Sequence, residues 1–364
     1  MARRPVVFNG KFLNAPAKGL SRVATELIRN VDRILSEEAG FDEIPSWELA
    51  CRRDAPRRLE LGKLGWRPGG LINWDGWEQF DLPRLAAGKL LVSLCNMAPL
   101  SVRGSIVMIH DAHVFLMPES HTPSYAAWYR FALPRVAAAA SRVLTVSAFS
   151  RDRLIEQGVV TAEKIEVIPN GSDHLERVTP DPAIVGRLGL EPRGYALALA
   201  NPQKHKNIKV LLDAFAEPRM EPLKLVLVGP ADAAAFASAG LIPSRNVVFA
   251  GSVSDAELRA LYEQAVCLAF PSLLEGFGIP PLEAMSLGCP VIAAPTGAIP
   301  EVCGVAAVYC DPHDAPAWAR SISGFAEAPK LHDEAAASGR AHAGRFRWRD
   351  SARRLMQVIA GHDG

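Results

Sequence analysis

Glu275 and Glu283 are the first side chains to weigh as chemistry-bearing groups. They lie in the stretch Ser272-Leu-Leu-Glu-Gly-Phe-Gly-Ile-Pro-Pro-Leu-Glu-Ala-Met-Ser-Leu-Gly-Cys-Pro-Val-Ile-Ala294. An apolar run, Cys267 to Phe270, precedes it, and another, Pro290 to Ala294, closes it. Between them the sequence predicts a loop carrying Gly276 and Gly278 and then a short helix. Pro280 and Pro281 suit a helix start, so the helix is predicted to begin near Pro280 with Glu283 in its first turn. Glycines let backbone N–H groups approach a ligand closely. A helix N-terminus favours an anion. Carboxylates repel phosphate and so face hydroxyls instead. A ligand that is both anionic and polyhydroxylated, such as a nucleotide sugar, meets both demands.

A second cluster, Leu199-Ala-Asn-Pro-Gln-Lys-His-Lys-Asn-Ile-Lys209, follows an apolar run and opens a predicted helix. Lys204, Lys206 and Lys209 are electrostatically misplaced at a helix start unless an anion docks there too. On charge alone a solvated basic turn explains the cluster equally well. His110 and Asp111 end another apolar run, Ile106 to Ile109. A lone histidine there is more often a core residue bonded to backbone than a ligand.

These stretches together resemble the retaining GT-B glycosyltransferases of family 4 (group 1). The mark of that family is a Glu, seven residues, and a second Glu, with Gly-Phe-Gly after the first. The resemblance implies that Glu283 accepts hydrogen bonds from the donor ribose. It implies that Glu275 contacts the donor sugar while Gly276, Phe277, Gly278 and Ile279 present backbone nearby. Lys206 matches the lysine that stabilises the departing diphosphate, and Asn201 and His205 occupy places where many relatives carry an arginine. Gly19, after the loop Gly10 to Lys18, resembles the family's N-terminal glycine that approaches donor phosphate and acceptor, with Arg22 following it. His110 and Asp111 resemble the family's His-Asp on the acceptor side, and Ser147 and Asn170-Gly171 resemble other positions lining the cleft. The catalytic set so implied is His110, Lys206 and Glu275.

The elements that position these residues are legible as a pattern. Apolar runs alternate with amphipathic helical stretches, which predicts parallel sheets covered on both faces. One series holds Val6–Phe8, Leu90–Leu94, Ile106–Ile109, Val143–Val146 and Ile165–Ile168. A second holds Ala196–Ala200, Leu225–Val228, Val247–Ala250, Cys267–Phe270, Val291–Ala293 and Ala307–Tyr309. Leu20, Val23, Leu27, Val31, Ile34 and Leu35 share one helical face. The segment Thr179-Pro-Asp-Pro-Ala183 reads as a linker. The expected fold is therefore α/β and, by the resemblance, GT-B: two Rossmann-like domains with a deep cleft between them. Residues 1–178 form an acceptor domain and 179–348 a donor domain, with a helix in 349–364 crossing back to the first.

A chain of 364 residues fits two domains. With 40 Lys plus Arg against 39 Asp plus Glu, no global basic signal points to nucleic acid. The six cysteines show no metal-ligand spacing and read as small buried hydrophobes. The N-terminus reaches Asn9 and Gly10 too soon for a signal peptide, and no apolar run approaches a membrane span. A cytoplasmic protein follows. Two basic clusters, Arg3-Arg4 with Lys11, Lys18 and Arg22, and Arg52-Arg53 with Arg57-Arg58, could meet the inner face of an anionic membrane.

The expected activity is retaining, metal-independent transfer of a hexose from a nucleoside-diphosphate sugar to a saccharide or lipid-linked oligosaccharide, in polysaccharide biosynthesis. GDP-mannose is the first donor to test, and no cofactor is expected beyond that co-substrate. A nucleotide-sugar epimerase or hydrolase on the same fold, and a non-catalytic nucleotide-sugar-binding subunit, are the rival readings. Product formed without acceptor separates the first. The presence of both Glu275 and Lys206 argues against the second. The Trp74-Asp-Gly-Trp77 segment either touches acceptor or simply packs.

Overall fold

The computed structural model describes residues 3–16, 18–41, 43–74 and 76–362. Ala17 in the glycine loop and Asp75 between the two tryptophans lie outside the described residues. The chain divides into two compact units, residues 1–171 with 348–364, and residues 172–347.

The first unit is built on a parallel sheet of seven strands: β1 Val6–Asn9, β2 Trp47–Cys51, β3 Gly65–Pro68, β4 Leu90–Ser93, β5 Ile106–Met108, β6 Arg142–Thr145 and β7 Ile165–Val167. Their spatial order is β3-β2-β1-β4-β5-β6-β7. The second unit has six parallel strands: β8 Tyr195–Leu199, β9 Lys224–Val228, β10 Val247–Gly251, β11 Cys267–Phe270, β12 Val291–Ala293 and β13 Ala307–Tyr309. Their order is β10-β9-β8-β11-β12-β13. Each sheet reverses its winding direction once, between β1 and β4 in the first unit and between β8 and β11 in the second. Such switch points open a crevice at the carboxyl ends of the strands.

Eleven of these strands coincide with the predicted apolar runs to within a residue or two. β2 and β3 do not appear among them. Glu48 interrupts the apolar pattern of β2, and it is neutralised in place by Lys89 at 2.6 Å and Arg67 at 3.2 Å. β3 is an edge strand that ends in Pro68, a residue sheets tolerate only at their margins.

Helix Leu20–Glu37 buries the face foreseen for it, including Val23, Leu27, Val31 and Ile34. It packs against the C-terminal helix Trp348–Ala360. Arg349 and Arg353 clamp that helix to Glu38 at 2.6 and 2.7 Å. The helix begins one residue earlier than predicted, and Trp348 is fully buried in the first unit.

The domain boundary also differs. Residues 172–178 belong to the second unit rather than the first. Arg259 holds them there by donating to the carbonyls of Leu175, Glu176 and Val178 at 3.3, 2.9 and 2.8 Å. The Thr179–Ala183 segment is likewise tied into that unit, by the Asp181 N–H on the Ala256 carbonyl.

Candidate active site

In the second unit the loops that follow β8 and β11 flank the switch point, and they carry the two predicted motifs. After β8 the chain makes a short 3-10 turn, Lys204–Lys206, and passes through Asn207 in the left-handed region (φ 49°) into helix Ile208–Phe215. The Asn207 amide fixes this path by donating to the carbonyls of Pro312 at 2.7 Å and Pro271 at 3.3 Å. His205 is buried, and its carbonyl accepts from Leu273 N–H at 2.7 Å, tying the first motif to the second. Lys206 Nζ reaches Glu275 Oε1 at 2.7 Å. Lys209 turns instead to Asp213 on its own helix, and Lys204 is exposed. Asn201 caps its own turn through Gln203.

Glu275 is seated by Gly297, whose φ is 59°. A Cβ at Gly297 would meet the Glu275 carbonyl oxygen at 2.6 Å and its nitrogen at 2.7 Å, so only glycine fits. Burial pushes the Glu275 carboxyl up, but Lys206, with help from Ser272 and His205, outweighs it and holds the group below its ordinary value. The pair is therefore a carboxylate and an ammonium in direct contact where the loops after β8 and β11 meet. Phe277 is buried edge-on against Phe346, and Gly278 caps the helix that follows.

That helix, Ile279–Ser286, starts one residue before the predicted Pro280, so Glu283 lies just beyond its first turn. Glu283 is only 7% exposed. Its Oε1 stands 2.9 Å from His174 Nε2, and its Oε2 accepts from the Tyr262 hydroxyl at 3.3 Å. Burial, then the Glu283 charge, keeps the Tyr262 phenol far above its ordinary value, so it remains a donor. The two carboxylates thus hold separate partners. His174 and Tyr262 were not singled out from the sequence. His174 stands three residues past Asn170-Gly171, and only its spacing from that turn could have flagged it.

In the first unit, His110 follows β5 and is buried. Its backbone N–H donates to the Asn96 side chain at 2.8 Å, and its Nε2 donates to the Leu94 carbonyl at 2.8 Å. Burial pushes the imidazole below its ordinary value, against the Leu94 carbonyl and Asp111, which pull the other way. A neutral ring whose Nε2 carries the proton follows, leaving Nδ1 as the acceptor. Asp111 accepts from His113 N–H at 2.9 Å and shapes the turn. Gly19 (φ 52°) precedes helix Leu20–Glu37, and Arg22 sits partly buried in its first turn. Ser147 caps the helix after β6 through the N–H of Ser150.

Several members of the basic clusters have internal partners: Arg3 with Glu43, Lys11 with Glu78, Arg52 with Asp54, and Arg57 over the Trp66 ring. Among the described residues, no helix is long and apolar enough to cross a membrane.

Two parallel-sheet units, with an ammonium–carboxylate pair at the switch point of one, define a GT-B glycosyltransferase architecture. Solved structures share it. A sucrose-phosphate synthase from Thermosynechococcus elongatus superposes with a TM-score of 0.73 at 18% identity, over 98% of each chain. HepE of Anabaena, in complex with UDP and glucose, gives 0.72 at 19% identity, over 99% of this chain and 100% of that one. Residues 186–342 match the profile of the glycosyl transferases group 1, and residues 48–174 that of glycosyltransferase family 4. O-antigen chain mannosyltransferase B of Escherichia coli is 30% identical over 261 residues, 69% of this chain and 68% of that protein. The chain belongs to glycosyltransferase family 4, the group 1 glycosyl transferases, and is a glycosyltransferase.

Proposed function

We infer that the chain transfers a hexose, with retention of configuration and without a metal ion, from a nucleoside-diphosphate sugar to a saccharide or lipid-linked oligosaccharide during polysaccharide assembly. The Lys206–Glu275 pair at the β8/β11 switch point carries this reading. When the bond between the anomeric carbon and phosphate oxygen breaks, negative charge gathers on the diphosphate. Lys206 and the N-terminus of helix Ile279–Ser286 are the preorganised groups that stabilise it. Glu275 repels phosphate and accepts sugar hydroxyls. The acceptor oxygen bonds to the anomeric carbon on the face the phosphate leaves, and its proton passes to a phosphate oxygen. Glu283, set by His174 and Tyr262, keeps acceptor capacity for ribose hydroxyls, since a carboxylate offers about four lone-pair sites.

Mannose is the sugar to test first, because the E. coli relative is an O-antigen mannosyltransferase. GDP-mannose is accordingly the first donor in the panel. UDP-glucose is the second, since the HepE structures hold UDP and UDP-glucose. The residual basic surface around Arg53 and Arg58 supports work at the inner face of an anionic membrane. A nucleotide-sugar panel read by thermal shift and turnover tests the reading. A donor at 100 times its dissociation constant adds about 2.7 kcal/mol of stability. NMR of the first-formed product anomer then decides retention. Product formed at full rate without any acceptor would overturn the transferase reading in favour of a hydrolase or epimerase.

A further inference from the structure

Helix Pro123–Ala139, between β5 and β6, has a composition at odds with its exposure. Its only charged residues are Arg130 and Arg135, and alanines and aromatic residues make up most of the rest. A helix that is apolar all round is normally covered on every side. Here the protein covers one side only. Ala126, Leu133, Val136 and Ala137 are buried in the core of the first unit. Trp128, Phe131 and Arg135, three and four residues apart, share the opposite face. Arg130 stands at its edge. Trp128 is 44% exposed, Phe131 48%, and Tyr125, one turn earlier, 40%.

The exposed rings are connected rather than scattered. Trp128 and Phe131 stack with centroids 6.1 Å apart, and the Arg135 guanidinium lies 3.7 Å over the Phe131 ring. Tyr125 stacks on His121 at 5.0 Å and on Tyr129 at 4.2 Å. Single exposed apolar side chains are ordinary on a protein surface, whereas a contiguous group marks a contact. Among the described residues, every exposed tryptophan or phenylalanine lies in the first unit: Trp74, Phe80, Trp128 and Phe131. The contact therefore belongs to that unit.

Charge decides the occupant. Between Glu119 and Asp152 the sequence holds four arginines and no carboxylate. Arg135 donates to the Phe131 carbonyl at 2.7 Å, and among the described residues neither it nor Arg130 forms an ion pair. A second copy packed on this face about a two-fold axis would set arginine against arginine, with no carboxylate to receive either. An anionic lipid surface satisfies both features. Its phosphates take the arginines, and aromatic rings settle at the headgroup boundary. Among the described residues no helix is long and apolar enough to span a bilayer, so this one lies along the surface. We propose that the outer face of helix Pro123–Ala139 docks the chain on an anionic bilayer, with Trp128 and Phe131 entering the headgroup boundary and Arg130 and Arg135 pairing with lipid phosphates. This face is separate in sequence from the basic clusters around Arg53 and Arg58. The inference rests on the reading that the chain works at a membrane, and the docking itself needs neither donor nor acceptor.

Sedimentation of the full chain with vesicles of phosphatidylcholine, with and without phosphatidylglycerol, tests it in the absence of any sugar or nucleotide. Binding is expected to the vesicles that contain phosphatidylglycerol. Trp128→Ser combined with Phe131→Ser should weaken it on the order of tenfold. Arg130→Gln combined with Arg135→Gln should do the same, on the order of tenfold, for the anionic vesicles alone. All four positions are exposed, so the thermal midpoint should stay unchanged. Trp128→Phe should keep binding yet lose part of the fluorescence quenching by bromine-labelled acyl chains, a signal that a remote structural role would not move. Ile242→Ser, an exposed apolar change in the second unit, should alter nothing. Full binding by both double variants would overturn the proposal, and loss of binding in Arg53→Gln with Arg58→Gln instead would move the contact to that cluster. Self-association that rises with concentration and disappears in Trp128→Ser would give the face to a second copy. Failure of the membrane reading itself looks different: no variant and no native protein binds any vesicle, while nucleotide-sugar binding and turnover persist.

Discussion

Replacing Lys206 by methionine tests the core of the site, because it removes the ammonium while keeping most of the stem. The Lys206–Glu275 contact is a 2.7 Å charge-assisted bond, and the Glu275 side chain is 18% exposed. Hydrogen bonds to charged groups contribute about 1.5–3 kcal/mol. Stranding a fully buried charge costs more, about 3–5 kcal/mol. The remaining exposure of Glu275 places the expected loss near the lower range, about 2 kcal/mol near pH 7.5. The pH dependence is the sharper readout. In the native protein the Glu275 carboxyl is held below its ordinary value, so its stabilisation is present above the unfolded value, near pH 4.5, and fades only below that. In Lys206→Met, burial, the largest single influence, is opposed only by the smaller contributions of Ser272 and His205 and raises the carboxyl above the unfolded value. The variant therefore loses stability as pH rises through that window, by about 1.4 kcal/mol for each unit of upward shift. Urea unfolding at about pH 5 and pH 7.5 should show the variant's deficit shrinking at the lower pH. The double variant with Glu275→Gln should recover most of the loss at the higher pH. Turnover should fall on the order of 10²–10³-fold. An equal deficit at both pH values, unrelieved by Glu275→Gln, would refute the argument that this pair balances burial against charge.

Glu283→Ala should weaken nucleotide-sugar binding by about 1.5–3 kcal/mol, measured by calorimetry on protein shown to be folded; unchanged affinity would place Glu283 in a purely structural role with His174 and Tyr262. Activity should persist in excess chelator, since Lys206 and the N-terminus of helix Ile279–Ser286 are proposed to stabilise the departing diphosphate themselves; strict dependence on added Mg²⁺ or Mn²⁺ would reverse that expectation. Trp348→Ala should destabilise the first unit by about 3–5 kcal/mol, seen as a lowered denaturation midpoint, because the indole is fully buried in that unit. Liposome sedimentation should show binding to anionic vesicles at low salt that is lost at high salt; no binding at low salt, with full activity on a soluble sugar, would remove the membrane from the account.

The pattern of apolar runs disclosed eleven strands and the division into two series, because strands buried on both faces must be apolar throughout. It did not disclose β2, whose Glu48 is tolerated only because Lys89 and Arg67 arrive from elsewhere in the sheet. The spacing of Glu275 and Glu283 and the lysines around Lys206 were legible locally, since each motif is a strand end, a turn and a helix start. Their pairing was not. Lys206 and Glu275 are 69 positions apart, and only the adjacency of β8 and β11 at a switch point brings them to 2.7 Å. The burial of Glu283 against His174 was hidden for a related reason: residues 172–178 join the second unit through carbonyls held by Arg259, and carbonyls carry no residue-type signal. Glu78 carries no motif that marks it in the sequence, and Lys11 read only as part of a basic cluster. Asn9 and Glu78 stand 69 positions apart, and only the tertiary fold brings them to 2.7 Å. Local pattern determines elements, since it reports burial along one strand or helix. Which charges share a crevice is decided by strand order, a property of the folded sheet alone.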